Sequence, residues 1–226
     1  MIKIYTVFIM LILIFCTACK QNTTSQMSLQ TYEFNLQGHR GARGLLPENS
    51  LESFKKAMNI GVNTLEMDVV ISKDSKVVVS HEAFMNPDIC QTPEGEPIQD
   101  EAEYNLFEMN YEDIKAFDCG SLKHPDFPEQ ETRPTYKPLL SEVIHLTKAY
   151  AKESEKDYHL NIEIKSEPHT DGIYHPQPNV FVDLVIEVIE SGDYPSEKIT
   201  LQSFDQRVIR YLIKHYPQYK TAFLVY

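Results

Sequence analysis

Thr64-Leu65-Glu66-Met67-Asp68-Val69-Val70-Ile71-Ser72 is the stretch that decides the fold. Its apolar residues fall on both sides of an extended chain. A strand buried on both faces points to a parallel sheet in an α/β protein. On its N-terminal side, Phe34 to Gly38 reads as a shorter strand, and Pro47-Glu48-Asn49-Ser50 as a helix start with Asn49 or Ser50 as cap. Leu51, Phe54, Ala57 and Met58 then recur at helical spacing, and Gly61 ends that helix. On the C-terminal side, Lys73-Asp74-Ser75 is a turn and Val77-Val78-Val79 a strand that delivers His81. Further on, the pattern predicts a helix over Pro138 to Lys152, a strand over His159 to Lys165 and a helix over Val180 to Ser191 closed by Gly192. A strand over Ile199 to Phe204, a helix over Gln206 to His215 and a last strand from Thr221 to Tyr226 complete it. That makes six strands, most of them separated by helices, with the chemistry-bearing residues near strand ends, as in a β/α barrel. Residues 84–136 break the rhythm with Pro, acidic and aromatic residues and a helix near Tyr111 to Phe117, and an insertion of this length is expected to be functional or a lid.

The chain has 226 residues, 42% hydrophobic and 24% charged, which suits one globular domain. Lys and Arg number 21 against 33 Asp and Glu, a formal charge of −12, and no basic run exceeds a dipeptide. Nucleic acid is thereby excluded as an expected partner, because its backbone is gripped by clustered cations. Lys3 followed by apolar Ile4 to Phe15 has the build of a signal peptide and is too short for a comfortable transmembrane helix. Thr17-Ala18-Cys19 resembles a bacterial lipoprotein cleavage site, although Cys16 stands where an aliphatic residue is usual. The expected organisation is a signal peptide over 1–18, a polar tether over 19–32 with a lipid anchor on Cys19, and a single domain over 33–226. The expected location is the bacterial cell envelope, with plain secretion as the other reading. Cys90 and Cys119 remain in the domain. In an exported protein they form either a disulfide or two buried thiols, and their spacing does not choose. Zinc is disfavoured, since no CxxC or Cys/His pattern accompanies them.

Glu66 and Asp68, two apart on a strand, point to the same side. Two carboxylates on one buried face repel and lose solvation unless a cation compensates them. Glu163 and Lys165 repeat that geometry, with Leu160, Ile162 and Ile164 facing the other way. By itself such a pair is as readily a salt bridge; together the two pairs point to a three-carboxylate site for a hard divalent cation, Mg²⁺ or Ca²⁺. His39, in a turn between Gly38 and Gly41 with Arg40 beside it, and His81, after another strand, are placed for proton transfer. Arg40 and Lys165 suit a phosphate's oxygens. The other six histidines, His124, His145, His159, His169, His175 and His215, have no comparable context.

These residues, in this order, resemble the glycerophosphodiester phosphodiesterase family. The motifs that carry the resemblance are Gly38-His39-Arg40-Gly41, Pro47-Glu48-Asn49-Ser50, Leu65-Glu66-Met67-Asp68-Val69, Val79-Ser80-His81-Glu82, Asn161-Ile162-Glu163-Ile164-Lys165 and Gln202-Ser203-Phe204-Asp205. The resemblance implies a (β/α)8 TIM-type barrel and hydrolysis of glycerophosphodiesters, such as glycerophosphocholine, to glycerol 3-phosphate and an alcohol. It implies one divalent cation held by Glu66, Asp68 and Glu163, a proton-transferring pair His39 and His81, phosphate contacts from Arg40 and Lys165, and Glu48 beside the metal. Members of the family usually continue through two further strands, the last often with a Trp, and this chain has no Trp. The expected barrel is therefore incomplete at its C-terminus, with about six of eight strands, two unpaired edges, and weakened stability or activity. Two other functions fit the same motifs: phospholipase D-like cleavage of choline phospholipids, and ligand capture by an inactive, surface-anchored relative.

Overall fold

A strand needs neighbours for its backbone groups, and β2 (Thr64–Ile71), buried along all eight residues, has them on both sides. The computed structural model describes residues 34–225, so the signal peptide, Cys19 and the tether lie outside the described residues. β1 (Gln37–Gly38) pairs parallel with the start of β2, and β4 (His159–Ile164) runs parallel along its other edge. β5 (Ile199–Ser203) and β6 (Lys220–Phe223) extend the parallel series, giving the order β1-β2-β4-β5-β6. The sixth strand, β3 (Val77–Val79), returns antiparallel on the far half of β2, pairing Val69 with Val79 and Ile71 with Val77. Its direction follows from the connection, because the short Ser72–Lys76 turn can only reverse the chain, whereas a parallel neighbour requires a crossover of a dozen residues or more.

Four helices follow the sequence punctuation. α1 (Leu51–Ile60) starts at Ser50, whose hydroxyl accepts from the Ser53 amide, and stops at Gly61 with φ 99°. Asn49 does not cap it, because its side chain is spent on Asp68. Beyond α2 (Tyr111–Lys115) in the insertion, α3 (Leu140–Ser154) begins two residues later than expected, since Pro138 and Leu139 are extended beside β3. α4 (Pro178–Ser191) and α5 (Gln206–His215) complete the set, the latter capped by Asp205. Strand alternation then sorts the side chains. Leu65, Met67, Val69, Leu160, Ile162, Ile164 and Leu201 pack into one core with Phe54, Leu140, Phe181 and Leu212 from the helices. Glu66, Asp68 and Glu163 take the opposite face of the sheet.

Residues 84–136 are not a loose loop. Met85, Ile89, Leu106, Ile114 and Phe117 form a second core with Val70 and Val78, and α2 (Tyr111–Lys115) lies within it. Cys90 and Cys119 are joined in a disulfide beside the antiparallel bridge Gln91–Asp118, which settles the choice left open by their spacing. The disulfide spans a sequence separation of 29, and by loop entropy its removal costs about 3.6 kcal/mol. The Cys90→Ser, Cys119→Ser double variant is expected to unfold at correspondingly lower urea; an unchanged midpoint would show the insertion to be held by its apolar core alone.

Among the described residues β1 and β6 end the parallel series without meeting, so the sheet is an open part of a barrel. Exposed Leu36, Phe223 and Val225 lie at these two edges.

Candidate active site

The Gly38-His39-Arg40-Gly41 turn leaves β1 in a conformation that its residues permit. Gly41 has φ 79°, and a Cβ there would stand 2.6 Å from Ser53 Oγ and 2.8 Å from the Ser53 carbonyl carbon. Arg40 itself is left-handed, φ 51°, a state costing about 1 kcal/mol or more for a residue with a side chain. The turn is held by its contacts: Arg40 N–H donates to Glu66 Oε2 at 2.8 Å, and Ala42 N–H donates to Ser53 Oγ at 2.7 Å. The strained turn is thus tied to the carboxylate strand.

Register brings the acids together. Asp68 on β2 lies opposite Glu163 on β4, and Glu66 opposite Asn161. Glu66, Asp68 and Glu163 each offer a carboxylate oxygen, all within 4.8 Å of one another, and each residue is at most 7% exposed. Burial, with the Asp68 charge next to it, pushes the Glu66 carboxyl up to about 8, and burial also raises Asp68. Gln202 Nε2 donates to Glu66 at 3.2 Å and Asn49 Nδ2 to Asp68 at 3.0 Å. Three buried oxygen donors that repel each other fit a hard divalent cation, which would remove the repulsion that burial enforces.

The two expected phosphate contacts sit inside this charge network. Arg40 Nη1 donates to Glu48 Oε1 at 2.9 Å, and its Nε lies 3.4 Å from Asp68 Oδ2. Lys165 Nζ donates to Glu163 Oε1 at 2.9 Å and stands 3.9 Å from Asp68. Glu48 is therefore beside the acids through Arg40. Arg43 at 3.4 Å and His124 at 3.9 Å also approach it. His124 thus does not have the bland context its sequence suggested: it is buried, and its ring packs on Phe127, which Arg43 also covers.

His39 and His81 approach from different elements. His39 Nε2 is 3.9 Å from Glu66 Oε2, and its side chain is 61% exposed. Partial burial and the charges of Arg40 and Arg43 hold its pKa below the ordinary value. His81 Nδ1 is 2.6 Å from Glu82 Oε1. Burial would raise Glu82, but the hydrogen bond with His81 and the charge of Lys137 override it and hold its pKa to about 2. An ionised carboxylate has no proton to give, so Nδ1 donates and Nε2 is the nitrogen left to exchange a proton.

His39, Arg40, Glu66, His81, Glu163 and Lys165 all line one cavity of about 460 Å³. A second of about 520 Å³ shares His81, Glu163, Lys165 and Phe204 and runs on over Phe84 and Tyr174, so the insertion and the loop after β4 wall it. Glu82 and Gln202 lay within recognised motifs but had no role assigned from sequence. Lys137, with no motif around it, gave no signal at all.

Known proteins share this sequence pattern and fold. The chain is 29% identical over 186 residues, 82% of its length, to a glycerophosphodiester phosphodiesterase of Caldanaerobacter subterraneus subsp. tengcongensis, and spans 64% of that protein. Against the solved structure of a Silicibacter pomeroyi protein provisionally named as a glycerophosphoryl diester phosphodiesterase it reaches a TM-score of 0.74 at 29% identity. That match covers 84% of this chain and 63% of the other. An Oleispira antarctica phosphodiesterase, solved in complex with the product sn-glycerol-3-phosphate, shares the fold at TM-score 0.64 and 20% identity, over 85% of this chain and 66% of its own. The chain thus spans somewhat under two thirds of the length of these relatives. The sequence model of the glycerophosphoryl diester phosphodiesterase family matches residues 39–226, from the His39 turn through β2 to β6, and the chain belongs to that family.

Proposed function

We propose that this protein hydrolyses glycerophosphodiesters to sn-glycerol 3-phosphate and an alcohol, with a divalent cation, Ca²⁺ or Mg²⁺, at Glu66, Asp68 and Glu163. The observation that carries the reading is the convergence of two histidines, two cations and the carboxylates of Glu66 and Glu163 on one cavity, with buried Asp68 grouped against both acids. A bound cation would supply charge neutralisation for the phosphodiester oxygens. Arg40 and Lys165 add positive charge where negative charge develops, the kind of contribution that is usually largest in such sites. His39, kept neutral by its depressed pKa, takes a proton from the attacking water as the water oxygen bonds to phosphorus. The bond from phosphorus to the alcohol oxygen breaks, and His81, as an imidazolium supported by Glu82, returns a proton to that oxygen through Nε2. The adjoining cavity over Phe84 and Tyr174 gives one arm of the diester room to lie. The His81–Glu82 pair favours turnover over mere ligand capture, since a binder has no use for an oriented proton carrier. The lipoprotein-type leader supports export and anchoring through Cys19, and a disulfide suits an oxidising compartment.

The test is release of glycerol 3-phosphate from glycerophosphocholine after EDTA treatment and again with Mg²⁺ or Ca²⁺ restored. Cation-dependent release is expected. Release that EDTA does not touch would sink the metal assignment, and no release with any glycerophosphodiester would leave ligand capture as the function.

A further inference from the structure

Lys137 lies where a lysine is expensive. It is 6% exposed, in the extended strap laced to β3, where Val79 N–H donates to the Pro138 carbonyl at 2.7 Å and Val78 bridges Leu139. Taking an ammonium out of water costs several kcal/mol unless other groups compensate it, and an apolar side chain of the same length would pack there without that cost. Its burial lowers its pKa, while Glu82, Glu48 and Asp68 support its charge and Arg40 opposes it. Its contacts lead to the site. Nζ donates to Ser80 Oγ at 2.8 Å, and Ser80 Oγ donates to the Glu82 carbonyl at 2.6 Å. The Ser80 amide donates to the Asp68 carbonyl at 3.0 Å. Glu82 in turn holds His81 Nδ1. The cavity among Lys137, Ser80, His81 and Glu48 is only about 10 Å³, too small for more than one water, so these groups have little freedom to shift.

We propose that Lys137 is a positioning residue: through Ser80 and Glu82 it fixes the turn that carries His81, and with it the direction in which the His81 imidazole presents Nε2 to the cavity. The proposal rests on the proton-transfer role given to His81 above. A lysine that merely filled space would be replaced by methionine at no catalytic loss. One that orients His81 cannot be, because small displacements of a catalytic group cost about tenfold to a hundredfold in rate.

The experiment is Lys137→Met in the full chain, alone and combined with His81→Ala, with Ser80→Ala as a milder break in the same line. Lys137→Met is expected to keep the wild-type thermal transition or raise it. It should lower kcat by about tenfold to a hundredfold with KM within about twofold, and cost nothing further in the His81→Ala background. Ser80→Ala should move kcat the same way by less. Nitrogen-15 spectra of the His81 ring, taken at a pH high enough to leave it neutral, should show the Nδ1–H tautomer alone in the wild type and a mixture of tautomers in Lys137→Met. Wild-type kcat in Lys137→Met overturns the proposal, as does an equal fractional loss when His81 is already absent, or a tautomer that does not change. Should the wild-type chain hydrolyse nothing, the proposed function fails, and the His81 spectra alone decide the positioning role.

Discussion

Replacing His81 with alanine is expected to lower kcat for the proposed glycerophosphodiester hydrolysis by about 10²- to 10⁴-fold, and His39→Ala to do the same, the range for loss of a positioned proton carrier. The effects should appear in kcat, because neither imidazole is placed to supply much ground-state binding: His39 is largely exposed, and His81 is engaged through Nδ1 with Glu82. The two losses should not multiply. In the proposed mechanism proton removal and proton return serve one displacement at phosphorus, and groups that act as a unit are strongly non-additive. Glu82→Gln should fall between wild type and His81→Ala, since it keeps the ring in place and removes the charge that supports its imidazolium. Steady-state rates of the three variants check this, and wild-type turnover in either alanine variant would remove that histidine from the mechanism.

The second large effect belongs to Glu66. Its folded carboxyl, at about 8, lies well above its ordinary 4.5, so it is held protonated by the fold in the absence of a cation. The sign follows. Below about pH 4.5 the folded and unfolded chains both carry the proton, and its stabilising contribution is fully present. Between 4.5 and 8 the unfolded chain releases a proton that the folded one keeps, and stability falls as pH rises, by up to ~1.4 kcal/mol per unit. Above about 8 that contribution is gone, and the ionised Glu66 carboxylate stands buried beside Asp68. The metal-free protein should therefore melt lower at pH 8 than at pH 5.5, and Glu66→Gln should lose most of that difference. Mg²⁺ or Ca²⁺ at a hundred times its Kd should restore about 2.7 kcal/mol to the wild type at pH 8 and much less to Glu66→Gln. The same substitution should abolish cation-dependent hydrolysis. Thermal melts in EDTA and in cation at the two pH values are the measurement. A wild-type transition that neither pH nor cation moves would mean that the triad holds no metal.

Much of this molecule was legible residue by residue. Gly61 after a helical apolar stripe, Ser50 before it, and the alternation of acids and aliphatics in Thr64–Ile71 and His159–Ile164 are local signals, and the elements form where those signals stand. The spacing of Glu66 and Asp68 alone put both on one face. The order of the His39, Glu66, His81 and Glu163 motifs pointed to the family without reference to any contact. The insertion was harder to read. Its Pro and acidic residues look like loop, whereas Met85, Leu106, Ile114 and Phe117 carry no clean period and join a core only because Val70 and Val78 lie beneath them.

What the sequence by itself determined, then, was the set of elements, the face each acid occupies, and the inventory of proton carriers and charges. These depend on dihedral preferences and on periods of 2 and 3.6 residues, which act within a few neighbours along the chain. The tertiary structure decided what meets what: Asp68 opposite Glu163 across the β2–β4 register, the Cys90–Cys119 disulfide, and Lys137 behind Ser80, 57 residues away in sequence. Register and long-range pairing are set by which buried surfaces fit together, since a one-residue slip of β4 would turn Glu163 into the apolar core. No local pattern contains that information, because the energy that selects it belongs to the packed whole.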